Sequence, residues 1–314
     1  MISEILIVSI GIAVFALATT AALSPLETLS WWAGWTEQEM SDTPPVIAAA
    51  PENSAAPFVV YLSGVASISG KHLLRREKMF INGLRARLPH VIIIDDVFPY
   101  APSGLPLLAS PRLFDRLWRW IQKLDLQKRG NLLRGLINIR NIYQVMVSAD
   151  HRYGPIFSQG AARAIGAALS TAGYRAQSGA RIVIVGYSGG AQVAIGAAPF
   201  LKAQFGAPID VISVGGVLAS DPGIGAVDAI YHFRGDGDRV EKLGALMFAE
   251  RWPAFANSHW NEAKRDGRLS IHHFANSAHA GPKGYFGLPR RGAQSNNERM
   301  VEAVTGVLSN LGAQ

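Results

Sequence analysis

The chain of 314 residues carries 30 lysines and arginines against 23 aspartates and glutamates, a formal charge of +7, and 49% of it is apolar. It holds no cysteine, which excludes disulfides, iron–sulfur clusters and thiol catalysis and leaves the compartment open. The apolar fraction allows a large core without staples, and the positive balance favours anionic surroundings such as phospholipid or nucleic acid.

Ile5 to Leu23 is apolar apart from Ser9, Thr19, Thr20 and small residues, and Ser24-Pro25 ends it. About 20 such residues can span a bilayer. Glu4 precedes the stretch where a secretory leader would carry Lys or Arg. We therefore read residues 1–35 as a single-pass membrane anchor that is kept rather than cleaved near Ala21-Ala22. Trp31, Trp32 and Trp35 follow as interface aromatics do. The first lysine, Lys71, is too distant to orient the anchor, so the side of the membrane stays open. Residues 36–56, acidic and then rich in Pro and Ala, read as a linker.

The globular part is expected over 57–314. Phe58 to Leu62 reads as a strand, Ser63-Gly64-Val65-Ala66-Ser67 as a loop, Lys71 to Leu88 as a helix and Val91 to Ile94 as a second strand. Together they suit a right-handed crossover unit. The pattern then breaks. Residues 102–152 should form two or three helices without a strand, with Leu113, Leu117, Trp120, Ile121 and Leu124 on one apolar face. Arg116, Arg119, Lys123, Arg134, Arg140 and Arg152 belong to the most basic region of the chain. That region reads either as a solvated helical insertion or as a cap that touches anionic lipid, with Trp118 beside the arginines. No nucleic-acid reader motif accompanies the charge, so no nucleic-acid partner is expected.

Gly160 to Tyr174 is an Ala-rich helical stretch. Ile182 to Val185 is a β-branched run suited to a strand buried on both faces. Gly186-Tyr187-Ser188-Gly189-Gly190 follows, and Ala191 to Ala198 can continue as a closely packed helix. A strand, a sharp turn and a helix with serine at the apex make a nucleophile elbow, whose flanking glycines let backbones approach. The competing reading makes Ser188 the N-cap of that helix. Val211 to Leu218 is the next strand, with Asp221 after it. Asp228 to Arg234 is another, followed by Gly235-Asp236-Gly237-Asp238 and a helix over Glu241 to Glu250. Leu269 to Phe274 is the last strand, Asn276 to Gly281 a loop carrying His279, and Asn297 to Leu311 a closing helix.

Strands alternating with helices predict an α/β fold with a mostly parallel sheet covered on both sides, its site beyond the carboxyl ends of the strands. Ser188, Asp238 and His279 each follow such a strand. A serine hydroxyl needs an imidazole to take its proton, and the imidazole needs a carboxylate to hold its tautomer.

On the elbow, the Gly235 to Asp238 turn and a late loop histidine before the final helix, the sequence resembles the α/β-hydrolase superfamily, over roughly residues 55–314. The resemblance implies Ser188 as nucleophile, Asp238 as acid and His279 as base. It also implies an oxyanion hole made by the N–H groups of Gly189 and, from the loop after the first strand, Val65. Two features depart from the family: the loop reads Leu62-Ser63-Gly64-Val65 rather than the His-Gly type, and the insertion precedes the elbow. Asp236 and Asp221 stand as alternative acids. One of His272 and His273 should pack inward, and His232 is read as structural. No His/Asp/Glu cluster has metal-ligand spacing, so neither metal nor other cofactor is expected.

The expected activity is that of a membrane-anchored serine hydrolase on small or lipidic carboxylic esters. The alternative is a non-catalytic hydrolase-like protein that binds a partner through its cap. A thioesterase or haloperoxidase-like activity would fit the same scaffold. Substrate and oligomeric state are not readable from the residues.

Overall fold

Six parallel strands form one sheet: β1 (Phe58–Leu62), β2 (Ile92–Ile94), β3 (Ile182–Tyr187), β4 (Ile209–Val214), β5 (Ala229–Gly235) and β6 (Leu269–Phe274), in the order β2-β1-β3-β4-β5-β6. The computed structural model describes residues 57–67, 73–100, 131–288 and 294–312, together with Phe15 and Thr19. Apart from those two positions, the anchor and linker read over residues 1–56 lie outside the described residues. So does the insertion before residue 131, with its Leu113 to Leu124 stripe. Among the described residues no helix is long and apolar enough to cross a membrane.

The helices are α1 (Arg75–Arg87), α2 (Asn131–Ser148), α3 (Gly154–Thr171), α4 (Gly189–Phe205), α5 (Arg239–Met247), α6 (His259–Arg265) and α7 (Asn296–Gly312). Side chains alternate across a strand, so strands of a sheet covered on both faces read as near-continuous apolar runs. The strands β1 and β4 are buried throughout, and β3 is buried up to Tyr187. On one face Val60, Ile184 and Val211 pack with Phe157 and Ile165 of α3 and Val193 of α4. On the other, Val59, Val183 and Ile212 pack with Phe80 and Leu84 of α1 and Val301 and Val304 of α7.

Some elements differ from the sequence reading. Helix α3 starts six residues earlier than Gly160, because Pro155 is at its first turn, where its missing N–H is no loss. Helix α4 runs past Ala198 through Pro199 to Phe205. The Ile195 carbonyl that Pro199 cannot bond lies against Gly223, where a Cβ would come within 2.2 Å of it. The fourth strand ends at Val214 rather than Leu218, as the chain turns away at Gly215 with φ 56°. Helix α6 was not expected. It spans seven residues and buries only Trp260 and Ala263, too few to show a period, and it is capped by Ser258, whose Oγ accepts from Asn261 N at 3.2 Å.

Sequential order reverses between β1 and β3: β2 lies on one side, and β4, β5 and β6 on the other. In an open parallel sheet such a switch point leaves a crevice outside the carboxyl ends of the strands. The loop 63–67 and Ser188 flank it.

Candidate active site

Ser188 stands between β3 and α4 with φ 53° and ψ −124°, a conformation strained for a residue with a side chain. Its neighbours permit it. A Cβ on Gly186 would come 2.4 Å from Ala191 Cα, and one on Gly190 would come 2.6 Å from Leu62 O. The Ser188 N–H donates to Val214 O at 3.0 Å, which ties the apex to the adjacent strand. Ser188 occupies the N-cap position of α4, but its side chain makes no cap bond to the helix. The Oγ instead lies 2.8 Å from His279 Nε2.

His279 Nδ1 lies 2.9 Å from Asp238 Oδ2. The carboxylate can only accept there, so the proton belongs on Nδ1, and the Nε2 lone pair faces the serine hydroxyl. Asp238 is the N-cap of α5. Its Oδ1 accepts from the backbone N–H groups of Val240 and Glu241, both at 2.9 Å. Its Oδ2 also accepts from the Tyr285 hydroxyl at 2.8 Å, and that hydroxyl accepts in turn from Gly235 N at 2.7 Å. Burial alone would raise the Asp238 carboxyl. The hydrogen bond and charge of His279, the helix amides and Tyr285 outweigh it, and the pKa lies below the usual range. A fully buried carboxylate therefore stays ionised beside the imidazole.

The nucleophile candidate follows β3, the acid β5 and the histidine β6, all at the carboxyl ends of a parallel sheet. This is an α/β fold with a parallel six-stranded sheet, the architecture that the resemblance implies. No family model matches the sequence, and no curated protein matches it. Solved structures similar to it include a predicted CIB-like hydrolase from Thermoplasma acidophilum, at 16% identity over 82% of this chain and 88% of that one, TM-score 0.43. A puromycin-hydrolyzing peptidase of Mycobacterium tuberculosis is similar at 15% identity and TM-score 0.44, over 85% of this chain but 36% of the peptidase. Est1E from Butyrivibrio proteoclasticus is similar at 11% identity over 83% and 90%, TM-score 0.38. At such distances no activity passes from these proteins to this chain.

Neither alternative acid meets the imidazole of His279. The Asp221 carboxylate accepts from Gln192 Nε2 at 2.9 Å and Gly223 N at 2.7 Å, capping the short 3-10 turn Pro222–Ala226. Asp236, two residues before Asp238, turns outward; its carboxylate stands 3.8 Å from His273 Nδ1 at the surface.

The loop after β1 closes over Ser188, with the Cβ position of Gly64 3.6 Å from Ser188 Cβ. Val65 is a close neighbour of Gly189, its Cγ1 3.1 Å from where a Gly189 Cβ would stand. Helix α2 completes this corner. Asn141 Nδ2 donates to Val65 O at 2.7 Å and Ser67 O at 2.9 Å. Arg140 Nη1 donates to Tyr100 O at 3.1 Å and Asn141 Oδ1 at 3.2 Å. The Tyr100 hydroxyl donates to Ser63 O at 2.6 Å. Arg140, counted in the sequence with the basic surface of the insertion, is therefore buried, its charge held by carbonyl oxygens. Tyr100, Asn141 and Tyr285 carried no local motif that could single them out.

The Tyr187 ring stacks on His279 at 5.8 Å, and its hydroxyl donates to His279 O at 2.7 Å. Other histidines take structural places. His232 is buried between Ser213 Oγ (3.0 Å) and Glu241 Oε1 (3.3 Å), and burial lowers its pKa. His272 stacks on Phe233, while His273 is exposed. Among the described residues no group of three His, Asp or Glu could hold a metal ion.

Proposed function

We propose that this chain is a serine hydrolase that cleaves carboxylic esters through an acyl-enzyme on Ser188. One observation carries the reading: an unbroken relay from Ser188 Oγ to His279 Nε2 at 2.8 Å and from His279 Nδ1 to Asp238 Oδ2 at 2.9 Å, at the apex of a strained elbow. In the proposed reaction Ser188 Oγ attacks the ester carbonyl carbon as its proton passes to His279 Nε2. The resulting oxyanion is met by the N–H groups of Gly189 and Val65. The C–O bond to the alcohol then breaks, and His279 returns its proton to that oxygen. Water, deprotonated by the same imidazole, attacks the acyl carbon, and collapse releases the acid and restores the serine. Asp238 holds the imidazole tautomer and offsets the imidazolium charge throughout.

A lipidic ester at a membrane surface is the substrate we favour. Ile139, Ile142, Tyr143 and Met146 stand exposed at helical spacing on α2, while Arg140, Asn141, Gln144 and Ser148 face inward. An apolar outer stripe beside the site suits contact with lipid, as does the apolar stretch Ile5 to Leu23.

The test is a fluorophosphonate probe and a p-nitrophenyl ester on wild type and Ser188→Ala. Wild type should label at Ser188 and hydrolyse the ester, and the variant should lose turnover by a factor on the order of a million. Retention of more than about a tenth of the activity would remove Ser188 as nucleophile. A wild-type chain that neither labels nor turns over would favour the non-catalytic partner-binding reading.

A further inference from the structure

Helix α2 has a polarity that the relay does not require: beside Ile137 its buried side chains are Arg140, Asn141, Gln144 and Ser148, while Ile139, Ile142, Tyr143 and Met146 stand exposed. The inward face packs against α3 and α4. It also meets the loop 63–67 and Gly189 at the start of α4, the two backbones from which the proposed oxyanion donors come.

That loop is a tight turn closed by Ser67 N donating to Gly64 O at 3.0 Å, with Val65 and Ala66 at its centre. The bond fixes the peptide plane that carries the Val65 N–H, and it leaves the next carbonyls, of Val65 and Ser67, to be satisfied elsewhere. Both are satisfied by one nitrogen, Asn141 Nδ2, at 2.7 and 2.9 Å, so both amide hydrogens are used. Asn141 is itself fully buried, and its oxygen is held by Arg140. One turn along the same helix, Val145 lies against Gly189, its Cγ2 2.5 Å from where a Cβ would stand. Residues four apart share a face of a helix. One rigid face thus abuts both donor backbones.

We propose that Asn141 is the positioning residue of the oxyanion hole: by clamping the carbonyls of Val65 and Ser67 it holds the Val65 N–H at a fixed separation and angle from the Gly189 N–H. The assignment rests on the serine hydrolase reading above. Its physical basis is preorganisation. Donors stabilise a developing oxyanion only where they already stand, and an error of about 1 Å can cost on the order of a hundredfold in rate. Gly64 adds freedom to the turn, so a clamp outside the loop is needed.

The experiment compares the full chain with Asn141→Ala and Asn141→Asp, which keeps the shape but turns an acceptor toward two carbonyl oxygens. For a soluble p-nitrophenyl ester we expect kcat to fall between about tenfold and a hundredfold with KM changed less than about twofold. The affinity for a phenylboronic acid, which forms a tetrahedral anion on Ser188, should fall by the same factor as kcat. Asn141→Ser, with one hydroxyl donor, should recover part of both, and it replaces Asn141→Ala if that variant does not fold. A folded variant with unchanged kcat and boronate affinity overturns the proposal, as does a loss confined to KM. A wild-type chain that shows neither hydrolysis nor fluorophosphonate labelling at Ser188 overturns instead the reading on which it rests.

Discussion

Asp238 occupies a position that no other carboxylate in the site region duplicates. It caps a helix with one oxygen and receives His279 and Tyr285 on the other. Asp238→Asn should keep the cap in part while costing the imidazole its tautomer, with a loss in kcat on the order of ten-thousand-fold. Asp221→Asn should leave kcat within about a factor of two, because its partners are Gln192 and Gly223. A severe Asp221 variant beside a mild Asp238 variant in steady-state assays would overturn the assignment. Glu77 is a second residue whose surroundings fix its chemistry. Burial raises its carboxyl to about 7, with the Tyr61 hydroxyl at 2.9 Å only partly offsetting it. The unfolded group ionises near 4.5. Below that pH both states are protonated, and the contribution to stability is complete. It is lost as pH rises from 4.5 through 7, by an amount on the order of 3 kcal/mol. Urea titrations at pH 5 and pH 8 should show this fall in wild type and a much smaller one in Glu77→Gln; equal falls would show that Glu77 is not its source.

The elements hold the site through close backbone approaches and one buried charged cluster. Helix α4 can lie under β1 only because Gly190 has no side chain; a Cβ there would stand 2.6 Å from Leu62 O and 2.7 Å from Ser63 O. Gly190→Ala should therefore push the end of β1 and the loop 63–67 aside. We expect a stability loss of about 1–3 kcal/mol by thermal or urea unfolding, with a fall in kcat of up to about a hundredfold. Gly135 of α2 has open space at its Cβ, so Gly135→Ala should be neutral or gain up to about 1 kcal/mol. Equal effects from the two substitutions would remove the close-approach argument. The helix that Asp238 caps is fastened by Glu241. That buried carboxylate bonds Arg251 Nη2 at 2.7 Å, pairs with Arg234 Nε at 2.8 Å and meets His232. Burial raises its pKa, yet the hydrogen bonds of His232 and Arg251 and their charges bring it down to about 2. This contribution is complete above about 4.5 and is lost as pH falls toward 2. The acid of the relay is thus carried by a helix whose first turn is fixed at neutral pH.

At the scale of the whole molecule, the site opens at the switch point of the sheet, and the outer stripe of α2 lies next to it. If that stripe meets lipid, residues 36–314 carrying Ile142→Ser and Met146→Ser together should bind phosphatidylglycerol-containing vesicles more weakly. Removing two half-exposed side chains of this size corresponds to on the order of 2 kcal/mol, roughly thirtyfold in partitioning. Hydrolysis of vesicle-borne esters should slow in parallel, with the soluble ester untouched. Unchanged vesicle binding in a sedimentation assay would remove the lipid-contact reading and leave the hydrolase reading intact.

By itself the sequence determined the parallel α/β architecture and the sharp turn at Ser188. Both follow from short-range rules: β-branched runs such as Ile182 to Val185 need two covered faces, and Gly186 and Gly190 bracket the one residue that must take a positive φ. The same local grammar named Ser188, Asp238 and His279 as candidates, but it left Asp236 and Asp221 beside Asp238, because a carboxylate two residues or one strand away has the same local pattern. Only the tertiary structure shows which of them meets the imidazole, since that depends on which oxygen reaches His279 Nδ1 across 41 residues. Likewise Tyr285, Tyr100 and Asn141 carry no pattern of their own, and Arg140 read as surface charge. Each takes its place from a partner 37 to 76 residues away for Tyr100, Arg140 and Asn141, and 47 to 50 for Tyr285. Hydrogen-bond partners at that separation are set by how the layers pack, which no periodicity along the chain encodes.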